Sequence, residues 1–482
     1  MKHISPRLLV LGWTVFALFW AAHPAHDDNS SPKPTESRPN ILFIVTDDHR
    51  PDGARALGNP DLMTPNLDRL IRRGASFTGV YNAGSDEPTV DNSSRAMLLT
   101  GQTCAHLPKS FYTAPTGKTS GEAENSAVTF PQYFRKYGYQ TYAVGKWPNS
   151  KTSFQASFAG GDNLFFEEMH AAKEGGHLRP MLHHFDAKGA YRPESRFKAL
   201  GHSSAVFASA AISFLDKQSP NKNNKPFLLY VSFTAPHDPL QPPASWAERY
   251  VPASLRLPEN FRPQPLFDTG EMTVRDEQRL VRPLQPSAVQ AEMAKYYASI
   301  SDIDEQIGRI LQTLEINGLT ENTLVVWCSD NGLMLGQQGL MGKQNLYEPS
   351  VRVPLVMAGP GVRRNLRPDA LCYLHDVFPT LCQLAKLPLP TRLDGQSFAS
   401  LLDGKEKQHR KQVLLAYRPP LQQAVRTADG WKLVQYRVKN QTTEQLFDLR
   451  QDPSELRDLS EQSGYQSQKQ KLLNLLDKKV SQ

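Results

Sequence analysis

The sequence predicts an α/β protein, with a central mixed, mostly parallel sheet flanked by helices and a smaller antiparallel part at the C-terminal end. Three observations carry this expectation. Residues 41–45 (ILFIV), 226–233 (PFLLYVSF) and 322–328 (NTLVVWC) are continuous apolar runs of strand length, the pattern of strands buried on both faces. Each run leads into a polar cluster, where open α/β sheets carry their sites. From about Leu387 the chain turns to shorter, more charged segments, and Gln412–Tyr417 and Trp431–Val438 alternate like edge or antiparallel strands.

The 482 residues suffice for one large α/β domain with a small companion. Lys and Arg number 55 against 48 Asp and Glu, a net charge of +7, and the basic residues are scattered. That argues against nucleic acid as a partner and leaves a mild preference for acidic ligands. Residues 1–25 read as a signal peptide or an N-terminal anchor. Lys2 and Arg7 precede a mostly apolar run, 8–22, that is short for a membrane span. The protein is therefore expected to be exported, whether periplasmic, secreted or anchored, with a membrane partner only if this segment stays uncleaved. Residues 26–38 form a polar linker, 39–386 the main domain and 387–482 the C-terminal subdomain. The four cysteines, Cys104, Cys328, Cys372 and Cys382, form no C-x-x-C pair, so they read as buried small hydrophobes rather than zinc ligands. A Cys372–Cys382 disulfide is not demanded.

The first polar cluster is Asp47-Asp48, at the end of the run 41–45. Paired carboxylates there suit a hard divalent cation. Next comes 91–102, in which Ser93 and Ser94 read as N-cap residues of an apolar helix that starts at Arg95 and closes at Gly101. A helix start with an adjacent arginine is an anion site, and Asp91 points into it. Residues 130–137 read as a helix and 139–144 as a strand leading to Gly145-Lys146-Trp147. The segment 150–196 is irregular, and His170, His177, His183 and His184 read as surface-loop residues. His237 follows the run 226–233 between prolines, and 240–286 reads as a long loop. Residues 288–314 carry apolar side chains at helical spacing, which marks a core-facing helix. Asp330-Asn331 ends the run 322–328 and makes a second polar cluster to match Asp47-Asp48.

The order of these motifs resembles the type I sulfatases of the alkaline phosphatase superfamily, over roughly residues 39–460, and is nearest the choline-sulfatase and iduronate-sulfatase-like branch. The signature Cys/Ser-x-Pro-Ser-Arg-Ala-x-Leu-Leu-Thr-Gly is met by residues 91–101, with Asp91 in the first slot and Ser93 in the proline slot. In that family the first residue is oxidised to formylglycine, whose hydrate attacks sulfur. The resemblance implies an alkaline-phosphatase/sulfatase-like sandwich. It implies metal ligands at Asp47, Asp48, Asp91, Asp330 and Asn331, and catalytic or sulfate-contacting roles for Asp91, Arg95, Lys146, His237 and Lys343. Gln338 stands where the family has a substrate-facing histidine. Pro148 and Pro349 replace two more histidines. The expected cofactor is one divalent cation, Ca²⁺ in preference to Mg²⁺, with no formylglycine. The expected partner is a sulfate ester or sulfated polysaccharide.

Two functions follow. One is a sulfuric ester hydrolase homologue that keeps its metal and sulfate-binding residues but, without the Cys/Ser nucleophile, is inactive or strongly altered. The other is an active metal-dependent sulfo- or phosphoester hydrolase using Asp91 or metal-bound water.

Overall fold

A computed structural model describes residues 38–113, 127–218 and 225–480. The expected leader and nearly all of the linker lie outside the described residues. Arg38 to Gln482 forms one compact unit.

The main sheet has seven strands: β1 (Asn40–Thr46), β2 (Ala75–Phe77), β3 (Gln140–Lys146), β4 (Gly160–Phe165), β5 (Phe227–Ser232), β6 (Thr323–Ser329) and β7 (Leu355–Ala358). Their spatial order is β2-β7-β6-β1-β5-β3-β4, and β7 alone runs against the others. The mixed, mostly parallel sheet is therefore as expected. Every residue of β1, β5 and β6 is buried, which is why these strands read as unbroken apolar runs. Their side chains alternate between two cores. Ile41, Phe43 and Val45 face one built with Phe130, Trp147 and Phe378. Leu42 and Ile44 face the other, built with Phe207, Ile303 and Ile307.

The flanking helices are α1 (Pro65–Arg73), α2 (Val90–Thr100), α3 (Phe130–Lys136), α4 (Lys151–Ser157), α5 (Ser203–Leu215), α6 (Pro286–Ile316) and α7 (Val377–Leu384). The apolar stripe of α6 splits along its length. Met293, Tyr296 and Ile300 pack under the 240–284 loop, while Ile303, Ile307 and Ile310 pack on the sheet. A C-terminal meander of β8 (Gln412–Tyr417), β9 (Gln422–Thr427), β10 (Trp431–Val438) and β11 (Gln441–Asp448) is antiparallel throughout, and α8 (Gln466–Val480) follows. At its edge β8 pairs in parallel with the short strand Gly84–Ser85, so this sheet borrows a strand from the N-terminal half. All four cysteines are free, three of them buried.

Two local expectations are corrected. Helix α2 starts at Val90, not Arg95, and its N-cap is Thr89. Ser93 and Ser94 sit inside the helix, where Ser93 accepts from the Ser85 hydroxyl (2.8 Å) and Ser94 donates to the Asp330 carbonyl (2.7 Å). Their hydroxyls tether α2 to its neighbours instead of capping it. The segment 150–196 is also not structureless, because it holds α4, β4 and the strand Met181–Leu182, which pairs with Phe197–Lys198 just beyond it. His170, His177 and His183 are buried within it, and only His184 is exposed.

Candidate active site

The carboxyl ends of four adjacent strands, β6, β1, β5 and β3, converge on one spot. Register does the first part of the work: Thr46 lies opposite Ser329, so Asp47-Asp48 and Asp330-Asn331 leave the sheet side by side. The Ser329 hydroxyl locks the two ends by donating to the Thr46 carbonyl (3.0 Å) and accepting from the His49 amide (2.8 Å). Asp48 adopts a left-handed backbone, φ 60°, which an aspartate tolerates better than a branched residue. The Asp330 carboxylate accepts from the backbone amides of Asp48 (3.1 Å) and Asn331 (2.8 Å).

Helix α2 supplies Asp91 and Arg95. Arg95 is fully buried beneath the cluster. Its Nε donates to Asp330 (2.6 Å) and its Nη1 to the Ser232 hydroxyl at the end of β5 (2.6 Å). Its Nη2 lies 3.5 Å from Asp47 Oδ1, and neither of those two atoms has a hydrogen-bond partner. From β3 comes Lys146, aimed by a register shift between Val144 and Gly145. Gly145 has φ 90°, and a Cβ there would lie 1.9 Å from the Ser232 carbonyl, so no other residue permits this approach of β3 to β5. Lys146 Nζ is 2.7 Å from Asp47 and 3.4 Å from Asp91 Oδ2. Lys343 Nζ donates to both Asp48 oxygens (2.7 Å each) and to Asp91 Oδ1 (2.6 Å). Asn331 Nδ2 also donates to Asp91 Oδ1 (2.9 Å), while its own Oδ1 accepts from Asn82 (2.6 Å). His237 Nδ1 donates to the Asp238 carbonyl (2.8 Å), so in the neutral ring its bare Nε2 faces Asp91 and Asp48, at 3.6 and 3.7 Å.

The electrostatics separate these groups. Burial would raise the Asp91 carboxyl, but Lys343 and Lys146 outweigh it and hold it well below the usual carboxylate range. Burial, reinforced by Asp91, Asp47 and Asp330, drives Asp48 well above that range despite Lys343. Of the two carboxyls that share Lys343, Asp91 is thus the stronger acid. Burial also lifts Asp330 to about 6 against Arg95. Burial and Lys343 bring His237 down to about 4, with Asp238 opposing. Burial alone would lower Lys343, yet Asp48, Asp91 and Asp276 keep it firmly charged.

Oxygen atoms of Asp47, Asp48 and Asp330 lie within 4.8 Å of one another, and all three residues are buried. An ion with oxygen ligands at about 2.3–2.6 Å spans such a triad. The partnerless buried Asp47 Oδ1 fits the same reading, since a buried carboxylate oxygen without a donor is costly unless a cation meets it. Asn331 presents its nitrogen to Asp91 and would have to turn its amide over to offer an oxygen.

The structure therefore brings Asp47, Asp48, Asp91, Arg95, Lys146, His237, Asp330, Asn331 and Lys343 together. It does not bring Gln338 with them. Gln338 sits at a tight turn, φ 54°, donates to the Glu455 carbonyl (2.6 Å) and accepts from Arg262 (3.2 Å). Those contacts tie its side chain to the C-terminal segment and leave none for the cluster. Sequence reasoning missed Asn82, Ser232 and Ser329, whose parts are set by hydrogen bonds to residues far away in the chain. It also missed the walls of a cleft of about 340 Å³ above Asp91, where Asn92, Glu168, Met169, Arg275, Asp276 and Gln344 join His237 and Lys343.

Two family models match the chain. A family model described as sulfatase matches residues 39–387, and one described as N-sulphoglucosamine sulphohydrolase, C-terminal, matches 336–482. A choline-sulfatase from Rhizobium meliloti is 29% identical over 466 residues, covering 89% of this chain and 83% of its own. An N-acetylglucosamine-6-O-sulfatase from Bacteroides thetaiotaomicron is 25% identical, covering 99% and 91%. A solved structure in complex with its substrate D-glucosamine-2-N,6-O-disulfate superposes with a TM-score of 0.71 at 22% identity, covering 92% of this chain and 98% of the other.

Proposed function

This chain belongs to the sulfatase family, with the family's alkaline-phosphatase-like fold, and we propose that it is a cation-dependent binder of sulfated sugars whose sulfate-ester turnover is absent or strongly altered. The observation that carries this is the state of Asp91. It occupies the slot that resembles the family's nucleophile position, and an aspartate cannot be oxidised to formylglycine. Its carboxylate is ionised, and Oδ1 is already taken by Lys343 and Asn331.

Charge counting explains why a cation matters. Asp47, Asp48, Asp91 and Asp330 face Arg95, Lys146 and Lys343, so the fully ionised cluster carries one negative charge in excess. An anionic ester would be repelled. A divalent ion on Asp47, Asp48 and Asp330 reverses that sign and makes room for one sulfate monoester. Bound there, the ion supplies charge neutralisation for the sulfate oxygens. Lys146 and Lys343 orient the same group, and His237 Nε2 faces the space where the bridging oxygen would lie. The sugar classes named for the relatives, choline sulfate aside, make a sulfated sugar the ligand of choice.

A second reading is favoured by the other oxygen of Asp91. Oδ2 has only the 3.4 Å contact to Lys146 and lies 3.6 Å from His237, which leaves it the freer atom for attack on a phospho- or sulfoester. Turnover of sulfate-ester and phosphate-ester panels, with Ca²⁺ or Mg²⁺ present, separates the two. Binding without turnover is expected. Steady turnover that vanishes in Asp91→Ala would establish the hydrolase instead.

A further inference from the structure

We propose that the cleft above Asp91 continues into a second subsite, built by the 160–198 segment, in which Arg179 takes a second anionic group, so that the ligand is an oligosaccharide rather than a single sugar. This rests on the reading of the first cleft as a sulfated-sugar site.

The geometry starts at Met169. That side chain lines the cleft above Asp91, and it also lines a separate cavity of about 200 Å³ with Glu167, His170, Glu174, Arg179 and Arg196. One flexible, polarizable side chain is thus the wall between the two. Arg275, half exposed at the rim of the first cleft, reaches the Met169 sulfur and also binds Asp238 (2.9 Å) and Asp276. Backbone pairing holds the segments that flank the second cavity at Phe165 and Met181. His183 and Leu164 exchange two hydrogen bonds of 2.8 Å, and Met181–Leu182 pairs with Phe197–Lys198. A Cβ on Gly176, at φ 59°, would meet Gln241 Oε1 at 1.9 Å, so the turn that carries Arg179 is closely seated.

Most charges in the two cavities are spent within the protein. Arg196 pairs with Glu174 (3.2 Å) and Glu167 (3.6 Å), Arg275 with Asp238 and Asp276, and Lys343 with Asp48 and Asp91. Among the described residues, two charged lining side chains have no ion pair or side-chain hydrogen bond. They are Glu168 in the first cleft and Arg179 in the second cavity, both exposed. A single sugar sulfated over Asp91 would find Glu168 as an acceptor for a hydroxyl or amine, and would leave Arg179 unused beyond Met169. A chain whose next unit carries sulfate or carboxylate uses both, since a guanidinium binds either group in bidentate fashion.

Calorimetric titration with Ca²⁺ present tests this on the wild type, Arg179→Ala and Arg179→Glu. The probes are glucosamine 6-sulfate, a heparin-derived tetrasaccharide with sulfate and carboxylate, and a κ-carrageenan tetrasaccharide with sulfate alone. Arg179 is exposed, so both variants should fold as the wild type does. The wild type is expected to bind at least one tetrasaccharide about tenfold more tightly than the monosaccharide, and Arg179→Ala to lose about that factor for the tetrasaccharide alone. Arg179→Glu should lose more. Loss with both tetrasaccharides assigns the second anion as sulfate, and loss with the heparin fragment alone assigns it as carboxylate. Equal tetrasaccharide affinity in all three proteins would overturn the second subsite and leave the first cleft standing. If no probe binds the wild type, the reading of the first cleft fails and the second subsite falls with it.

Discussion

Divalent-ion binding at Asp47, Asp48 and Asp330 should be visible as stability. At an ion concentration 100-fold above the dissociation constant, linkage to the folded state contributes about 2.7 kcal/mol. Unfolding entropy near 60 °C is about 2.1 cal/mol/K per residue, so a cooperative unit running from Arg38 to Gln482 gains roughly 0.9 kcal/mol/K. The ion should therefore raise Tm by about 3 °C, and by about 4 °C at 1,000-fold excess. The assay is thermal unfolding of EDTA-treated protein titrated with CaCl₂ and, separately, MgCl₂. Asp47→Asn is the control, because Asp47 Oδ1 has no hydrogen-bond partner to lose while the carboxylate charge disappears. That variant should start lower, since Lys146 loses its 2.7 Å partner, and should show little or no rise with either ion. Titration also carries a sign. Asp330 sits at about 6 and Asp48 well above its ordinary value, so both bind protons as pH falls and the ion must displace them. The Tm increment should shrink below about pH 6. No increment in the wild type with either ion, or an undiminished one in Asp47→Asn, would refute the assignment.

Other perturbations follow from the same geometry. Lys343→Met leaves Asp48 and Asp91 facing each other without their shared cation, and in metal-free protein should cost about 3–5 kcal/mol in urea unfolding, part of it recovered with Ca²⁺. His375 is buried and brought down from 6.5 to about 4 by burial, so protonation favours the unfolded chain. Its contribution is complete above about pH 6.5 and is lost as pH falls toward 4, about 2 kcal/mol at pH 5, and His375→Gln should flatten the acid limb of stability by that amount. Asp91→Cys with Ser93→Pro rebuilds the Cys-Asn-Pro-Ser-Arg sequence and, co-expressed with a modifying enzyme, should yield formylglycine by mass spectrometry of the 91–95 peptide. Asp91→Cys alone should yield little. With Pro148 still in the histidine slot, release from an aryl sulfate should show a burst of roughly one turnover, and adding Pro148→His should move it toward steady turnover.

How far the sequence could be read depended on what each residue answers to. Strands β1, β5 and β6 are buried on both faces, and their apolar runs say so without any partner in view. Strand β4 did not read as a strand, because β3 is its one partner strand in the main sheet and an edge needs little apolar surface, so Gly160, Gly161, Asp162 and Asn163 suffice. Helix α5 went unread for a related reason. Its alanines and serines are buried at Ser203, Ser204, Ala208, Ala210 and Ala211, and a helix covered on most sides shows no stripe. The start of α2 was misplaced because Ser93 and Ser94 are good caps in isolation, while their hydroxyls have partners at Ser85 and Asp330 that no local rule reveals.

The site shows the same division between identity and pairing. Arg95, Lys146 and Lys343 are singled out in the sequence as cations for an oxyanion, Arg95 beside a helix start and the two lysines by the resemblance of their motifs. Which oxygens they hold is a property of the folded chain. Arg95 is wholly committed to Asp330, Ser232 and the edge of Asp47, whereas Lys146 and Lys343 each span a strand-end carboxylate and Asp91. Asp91 thereby does more than fill a position on α2. It is an anion already resident among the groups that would grip a sulfate, and a ligand sulfate must compete with it for the same two lysines. Removing that carboxylate with Asp91→Ala should then strengthen the binding of inorganic sulfate in the presence of Ca²⁺, whereas a residue serving only as a vacant slot would leave that affinity unchanged.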